Sequence, residues 1–231
     1  MKLLNQNSLA VTIDAINEKI FFNQPISGSE KKEVAIWLAG RQGLPGSYAG
    51  MFAPTKSDIS LGFKVFTGEP VRTGAATRHI LGEETCRVLI VLGIKSPEVK
   101  KALASATEGI ESRIMDSVSR GYQIGTYCCG ICTDSFWRHL AVGGMPQLDP
   151  DKWFAAGMKY LHSLQKGDGE WQRYPFFYTL LALNELDTPA AVKELKYAAP
   201  KLEQYLKRAN QKGKYSERRK VLAERILNKI S

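Results

Sequence analysis

Residues 160 to 171 read Tyr-Leu-His-Ser-Leu-Gln-Lys-Gly-Asp-Gly-Glu-Trp, and residues 37 to 48 read Trp-Leu-Ala-Gly-Arg-Gln-Gly-Leu-Pro-Gly-Ser-Tyr. The two stretches align without a gap as aromatic, Leu, three residues, Gln, three residues, Gly, one residue and a second aromatic. Gly125-Thr126-Tyr127 ends a third, degraded copy that lacks the Gln. Each copy closes one predicted helix and precedes another, so the repeat unit is an α-hairpin. Because one hairpin cannot bury its apolar face alone, we predict that the copies stack on one another.

Outside these copies, apolar residues recur at helical spacing along nearly the whole chain, with no convincing alternation bounded by hairpin turns. The pattern predicts an all-α fold built from α-hairpin repeats. The segment 42–76 is irregular, rich in Gly and Pro, and holds a short amphipathic piece near 57–66. A loop of that length is uncommon inside a compact domain and more often has a function than serves only as a connection. Helices are predicted at residues 8–22, 29–40 (with Ser29 as N-cap), 78–92, 97–119, 131–142, 151–164, 174–186, 189–209 and 216–230.

The charge of the chain is unevenly distributed. The 231 residues carry a net charge of +9, and the region from residue 189 onward alone holds twelve basic and four acidic side chains. We therefore divide the chain into a nearly neutral helical body, 1–188, and basic C-terminal helices, 189–231, packed on the same domain. No stretch approaches the roughly 20 apolar residues of a membrane span, and the N-terminus lacks a secretion signal. We expect a cytoplasmic protein with reduced cysteines.

The repeat resembles the QW-type repeat of the terpenoid cyclase and protein prenyltransferase superfamily. Pro-Phe-Phe-Tyr-Thr-Leu-Leu-Ala-Leu, at residues 175–183, is similar to the inner helices of that superfamily. The resemblance implies an α/α toroid, small or partial here because only about four hairpins are predicted. Its inner helices would line a cavity for a small apolar, isoprenoid-like ligand. The side chains expected to contact that ligand are Trp137, Arg138, Phe177 and Tyr178.

The active-site motifs of the superfamily are not preserved. When Ser-Phe-Trp at 135–137 is aligned with the prenyltransferase motif, the zinc-binding Asp, Cys and His fall on Ile131, Thr133 and Tyr178. The prenyltransferase zinc site is therefore not supported. The segment most similar to the Asp-x-Asp-Asp proton-donor motif of the cyclases is Asp149-Pro150-Asp151-Lys152. It lacks the last Asp of that motif and occupies an expected helix N-cap. The resemblance thus implies a fold more than a reaction.

Three cysteines lie at the start of the predicted helix 131–142. Thiols at a helix N-terminus ionise more readily because the helix dipole favours the thiolate, which suits metal ligation, redox exchange or nucleophilic attack. Cys129 and Cys132 have the Cys-x-x-Cys spacing that can hold zinc, although a structural zinc site needs two further ligands. The alternative is packing, since cysteine is a common small core residue and Gly130 lies beside it. Cys129 and Cys132 are candidate zinc ligands, and Cys132 is also a candidate catalytic residue.

Two charged pairs stand one helical turn apart. His79 and Glu83, followed by Cys86, share a face of the helix 78–92, where they could bind a metal or act as acid and base; the alternative is a helix start with acids favoured by the dipole. Asp134 and Arg138 are expected to form an exposed or pocket-edge ion pair. In a toroid these helix N-termini would face one end. We expect the catalytic residues of an unassigned reaction to be Cys132, Asp134, His79 and Glu83.

Two anion-binding possibilities remain. Backbone N–H groups in the glycine-rich stretch 40–50 could hold an anion, although no P-loop or dinucleotide motif is present. The basic helices after residue 189 are either solvated faces or a surface for nucleic acid or an acidic protein. The alternative function is therefore a helical-repeat adaptor without chemistry, for which Arg218, Arg219 and Lys220 are the test positions.

Overall fold

The computed structural model describes residues 2–208 and 212–231. Its elements are α1 (Leu9–Phe21), α2 (Gly28–Ala39), α3 (Lys56–Ser60), β1 (Phe63–Lys64), β2 (Pro70–Val71), α4 (Gly74–Leu92), α5 (Pro97–Ser119), α6 (Gly130–Ala141), α7 (Pro150–Ser163), α8 (Phe176–Glu185), α9 (Pro189–Arg208) and α10 (Lys214–Ile230). The all-α prediction is confirmed, with one short antiparallel pair, β1 and β2, inside the irregular segment. Ala209, the last residue of the predicted helix 189–209, lies outside the described residues.

Capping side chains set several helix starts. The N-cap of α2 is Ser27 rather than the predicted Ser29, because Ser27 and Glu30 form a capping box. Helix α4 begins four residues before its predicted start, since the Thr73 hydroxyl accepts the backbone N–H of Ala76. Asp149 caps α7 by accepting two backbone N–H groups, as predicted for that tetrapeptide.

The chain divides into two compact units. The first comprises the described residues through Phe66, together with Pro70–Tyr122 and Val142–Leu148. In it α4 packs against α1, α2, α3 and α5, and α2 also packs against α5. Glycines permit the closest approaches: a Cβ added at Gly109 would collide with the carbonyl oxygen of Ala49, and one at Gly82 would lie 2.7 Å from the Met51 side chain. Helix α5 therefore packs directly on the backbone of the glycine-rich loop.

The second unit comprises Thr67–Glu69, Gln123–Ala141 and Asp149–Ser231. Helix α8 packs between α6, α9 and α10, while α7 contacts α6 and α9. The basic helices α9 and α10 therefore belong to the same unit as α6, α7 and α8, and the boundary predicted after residue 188 lies inside that unit. The apolar faces of α9 and α10 contribute fully buried side chains to the core of the second unit, namely Leu195, Leu202, Leu222 and Ile226.

The two good repeat copies share one backbone feature after the helix ends. In each, the Gln forms an isolated antiparallel bridge with an aromatic residue: Gln42 with Phe52, and Gln165 with Trp171. Both aromatic side chains are buried. The ungapped alignment had paired Trp171 with Tyr48, and that assignment is wrong by four residues because the loop of the first copy is longer. The two copies correspond residue by residue from the helix end to the Gln. After the Gln, the corresponding aromatic residue lies four positions later in the first copy.

None of the helices within 2–208 and 212–231 has both the length and the hydropathy needed to cross a membrane.

Candidate functional site

The loop that carries the cysteines is fixed from both sides within the second unit. The Thr133 hydroxyl donates to the carbonyl oxygen of Tyr127 at 2.7 Å and accepts the Tyr127 N–H at 2.9 Å. The Trp137 indole donates to the carbonyl oxygen of Gly125 at 2.8 Å. A Cβ at Gly130 would collide with the carbonyl oxygen of Arg173. The segment 125–130 is therefore held in one conformation by hydrogen bonds and close packing.

This frame brings three thiols together where α6 begins. The backbone N–H of Thr133 bonds to the carbonyl oxygen of Cys129, which places Cys129 at the N-cap position. Cys132 follows in the first turn and is buried, while Cys128 and Cys129 are exposed. The sulfur atoms of Cys128 and Cys132 lie within 4.8 Å of each other. We call these three residues the thiol cluster.

Hydrogen bonds among the sulfurs control how the thiol cluster ionises. The bond from Cys128 to the Cys129 sulfur is the largest cause that raises the pKa of Cys128 to about 11. Bonds to Cys128 and Cys129, followed by burial, raise the pKa of Cys132 far above its usual range. In the metal-free protein at neutral pH, Cys128 and Cys132 are therefore protonated donors. The sulfurs are close enough to share either protons or a single cation.

The sequence prediction named Cys129 and Cys132 as metal ligands but missed Cys128. The signal was present, because Cys128 precedes Cys132 by four residues, the spacing that brings side chains to one side of a helical turn. It was overlooked because Cys128 lies before the helix starts. Sequence reasoning also gave no structural role to Thr133, whose hydroxyl holds the loop through Tyr127.

Asp134 and Arg138 were expected to form an exposed or pocket-edge ion pair, but both side chains are buried. Arg138 instead makes a two-pronged contact with Glu185, at 2.8 and 3.0 Å. Asp134 accepts a hydrogen bond from Thr179 at 2.9 Å. Burial is the main cause that raises the pKa of Asp134 well above its usual range. Burial therefore disfavours the charged form of this carboxyl.

The expected ligand-binding aromatics serve packing inside the second unit. Trp137 is fully buried and stacks on Tyr174 with ring centroids 5.9 Å apart. The Arg138 guanidinium lies 5.5 Å from the centre of the Tyr178 ring. Phe177 is only partly buried, and Arg219 covers its ring at 4.8 Å. Their role toward an isoprenoid-like ligand stays a prediction.

His79, Glu83 and Cys86 lie together on α4 in the first unit, as their spacing predicted. The His79 Nε2 atom is 3.2 Å from a Glu83 carboxylate oxygen, and both side chains are buried. Tyr48 packs against the imidazole with ring centroids 4.8 Å apart. Burial is the main cause that raises the pKa of the Cys86 thiol well above its usual range, so Cys86 is a core residue. The contact with Glu83 restricts the orientation of the imidazole.

The basic C-terminal helices use part of their charge internally. Arg218 is only 1% exposed and lies over the Tyr215 ring. The Arg219 guanidinium donates from Nε to the carbonyl oxygen of Thr67. Next to Thr67, the Glu69 carboxylate accepts the backbone N–H groups of Phe177 and Tyr178 at 3.0 and 3.3 Å, which caps α8. Two of the three positions chosen to test nucleic-acid binding are therefore structural.

No protein-family model, curated protein or solved structure matches this chain.

Proposed function

We propose that this chain binds a thiophilic divalent cation, zinc in the first place, through the thiol cluster at the start of α6. The observation that carries the proposal is the convergence of three sulfurs, with Cys128 and Cys132 within 4.8 Å. Thiolates bound to one tetrahedral zinc ion, with Zn–S distances of about 2.3 Å, lie about 3.8 Å apart. The sulfurs of Cys128 and Cys132 would therefore need to approach each other by about one ångström at most.

The surroundings of the cluster support a preorganised site. Its loop is held by Thr133, Trp137 and the contact at Gly130, so few degrees of freedom are lost when a cation binds. Cys129 lies at the positive end of the α6 dipole, which favours the thiolate form that binds metal. Cys128 and Cys129 are exposed, so a cation can enter from solvent. Three thiolates leave a fourth position for water or another donor.

The test measures metal content and thiolate coordination together. The protein is purified under reducing conditions from zinc-containing medium, its metal is measured by mass spectrometry, and the zinc is then replaced by Co²⁺. We expect one metal per chain and an intense sulfur-to-cobalt charge-transfer absorption. Cys128→Ser and Cys129→Ser change exposed residues and should fold normally. Each should weaken zinc binding by more than about 100-fold, above the 10–100-fold that loss of an outer-sphere partner typically costs.

Cys86→Ser is the matched control, because it removes a buried thiol from the other unit and should leave metal content unchanged. Circular dichroism identifies any variant that fails to fold. The proposal is abandoned if the wild-type chain binds no zinc at micromolar concentration, or if the triple serine variant of Cys128, Cys129 and Cys132 binds zinc as the wild type does.

A further inference from the structure

A second binding site is indicated in the first unit, at residues that the thiol cluster does not include. A hollow of about 280 Å³ lies between the glycine-rich loop, the segment 54–60 and the first turns of α4. Its polar wall is formed by Lys56, Arg78, Thr55 and Ser60, and its apolar wall includes Pro45 and Ile59. We call this space the Arg78 hollow. Its volume is just below the range of about 300–1,000 Å³ that is typical of small-ligand pockets.

The two cations of the Arg78 hollow have no protein counter-charge. Neither Lys56 nor Arg78 makes an ion pair or hydrogen bond within residues 2–208 and 212–231, and no carboxylate lines the hollow. The acid nearest in sequence, Asp58, is buried, and its carboxylate is hydrogen-bonded to residues other than Lys56 and Arg78. Its carboxylate accepts from the Ser8 hydroxyl and from the backbone N–H groups of Leu9 and Thr55. The hollow is therefore positively charged.

Two glycines define the position of the Arg78 guanidinium. A Cβ added at Gly74 would lie 3.1 Å from Nη1, and one added at Gly46 would lie 3.9 Å from Nε. The guanidinium thus lies against bare backbone and is only partly hydrated. A charge in that position gains more from an anion than a fully solvated charge does, because the effective dielectric constant is lower. Guanidinium also binds phosphoryl oxygens in a two-pronged geometry.

We propose that the Arg78 hollow binds the phosphoryl group of a small phosphate monoester. A monoester is close to doubly negative at neutral pH and so matches the two cations. The Ser60 hydroxyl, which lies 3.5 Å from the Ser57 carbonyl oxygen, supplies a further donor for the phosphoryl oxygens, whereas the Thr55 hydroxyl is already engaged by Asn7 and Asp58. Pro45 and Ile59 contact the small apolar group of the ester. Side chains supply the charge for this site, whereas the possibility raised from the sequence was an anion held by backbone N–H groups of the stretch 40–50.

The test is calorimetric titration of the full chain with phenyl phosphate, with phenol as the uncharged probe and inorganic phosphate as the probe without an apolar group. We expect phenyl phosphate to bind most tightly and phenol not to bind. Arg78→Gln should weaken phenyl phosphate binding about tenfold or more, the loss typical of a charged hydrogen bond. Lys56→Gln should weaken it less, by about two- to fivefold, because an exposed charge is screened by water and salt. Arg72→Gln removes an exposed arginine outside the hollow and should change nothing.

Lys56 is exposed, so Lys56→Gln tests the proposal even if Arg78→Gln impairs folding. Vesicles of phosphatidylcholine with and without phosphatidic acid distinguish a lipid headgroup from a soluble ester, since both carry the same phosphoryl chemistry. Arg78-dependent binding to either source supports the proposal. Equal binding of phenyl phosphate by wild type and both variants, equal binding of phenol, or no binding at millimolar concentration overturns it. None of these results depends on metal at the thiol cluster.

Discussion

The joint of the best repeat copy depends on one buried carboxylate, Glu194 of α9. Its oxygens are contacted by the Trp171 indole at 2.8 Å, the Gln165 amide at 2.9 Å and the His162 imidazole at 2.8 Å. Glu194 is 1% exposed and Trp171 is 2% exposed. The Gln and the second aromatic of the repeat thus both bind a single acceptor on the following helix. We predict that Glu194→Ala is strongly destabilising.

The magnitude follows from which donors lose their partner. Trp171 is buried, so its N–H would lose a charged hydrogen bond of about 2 kcal/mol without replacement by water. The His162 side chain is 50% exposed and Gln165 is partly exposed, so water would replace their bonds at a cost of about 0.5 kcal/mol each. The side-chain volume lost adds about 1 kcal/mol. The expected total, about 4 kcal/mol, corresponds to a fall in Tm of roughly 8–16 °C for a chain of this size.

Urea unfolding followed by circular dichroism and tryptophan fluorescence measures this loss. Three of the four tryptophans, at 137, 153 and 171, lie in the second unit, so the fluorescence reports mainly on the unit that contains Glu194. Glu203→Ala, an exposed site on the same helix, is the matched control and should change stability by less than about 0.5 kcal/mol. In a Trp171→Phe background the cost of Glu194→Ala should fall by about half, since the main donor is already gone. A Glu194→Ala cost below about 1 kcal/mol would refute the reasoning.

Two further predictions concern the first unit and the thiol cluster. Gly109→Ala should cost about 2 kcal/mol or more in thermal unfolding, because its Cβ collides with the carbonyl oxygen of Ala49, whereas Gly28→Ala, with open space around it, should be neutral or slightly stabilising; equal Tm values would contradict this. In reduced, metal-free protein, alkylation of Cys128 by iodoacetamide, mapped by peptide mass spectrometry, should rise about tenfold per pH unit from pH 8 towards its pKa of about 11, since only the thiolate reacts. A rate that levels off below pH 9, as for an ordinary thiol, would contradict it.

Local spacing was sufficient to predict the helices, because their periodicity and caps lie within a few residues of one another. It also predicted the first half of the repeat, where the helix ends and the Gln bridge begins. It could not place the second aromatic of the first copy, since Gln42 pairs with Phe52 across a loop that is longer than the loop between Gln165 and Trp171. An ungapped comparison cannot account for that difference in loop length.

Sites made from residues distant in sequence were beyond the same reasoning. The Glu69 carboxylate caps α8 although it lies 108 residues away in sequence, and the residues near Pro175 do not predict this contact. The thiol cluster, by contrast, was predictable in large part because its members span five residues. What the sequence did not provide was the burial of Asp134 and Arg138, since burial is decided by the helices that surround α6.

The distribution of charge leads to one further conclusion about where anions bind. The residues after 189 carry most of the net charge, yet Arg218 and Arg219 are engaged within the second unit. Lysines such as Lys193 are exposed, so water and salt screen them and an isolated contact gains little. Arg78 belongs to the nearly neutral body, but it is half-buried and has no acid beside it in the described chain. Anion affinity depends on uncompensated and poorly hydrated charge, so we expect neutralisation of Arg78 to weaken phosphate-monoester binding more than neutralisation of Lys193.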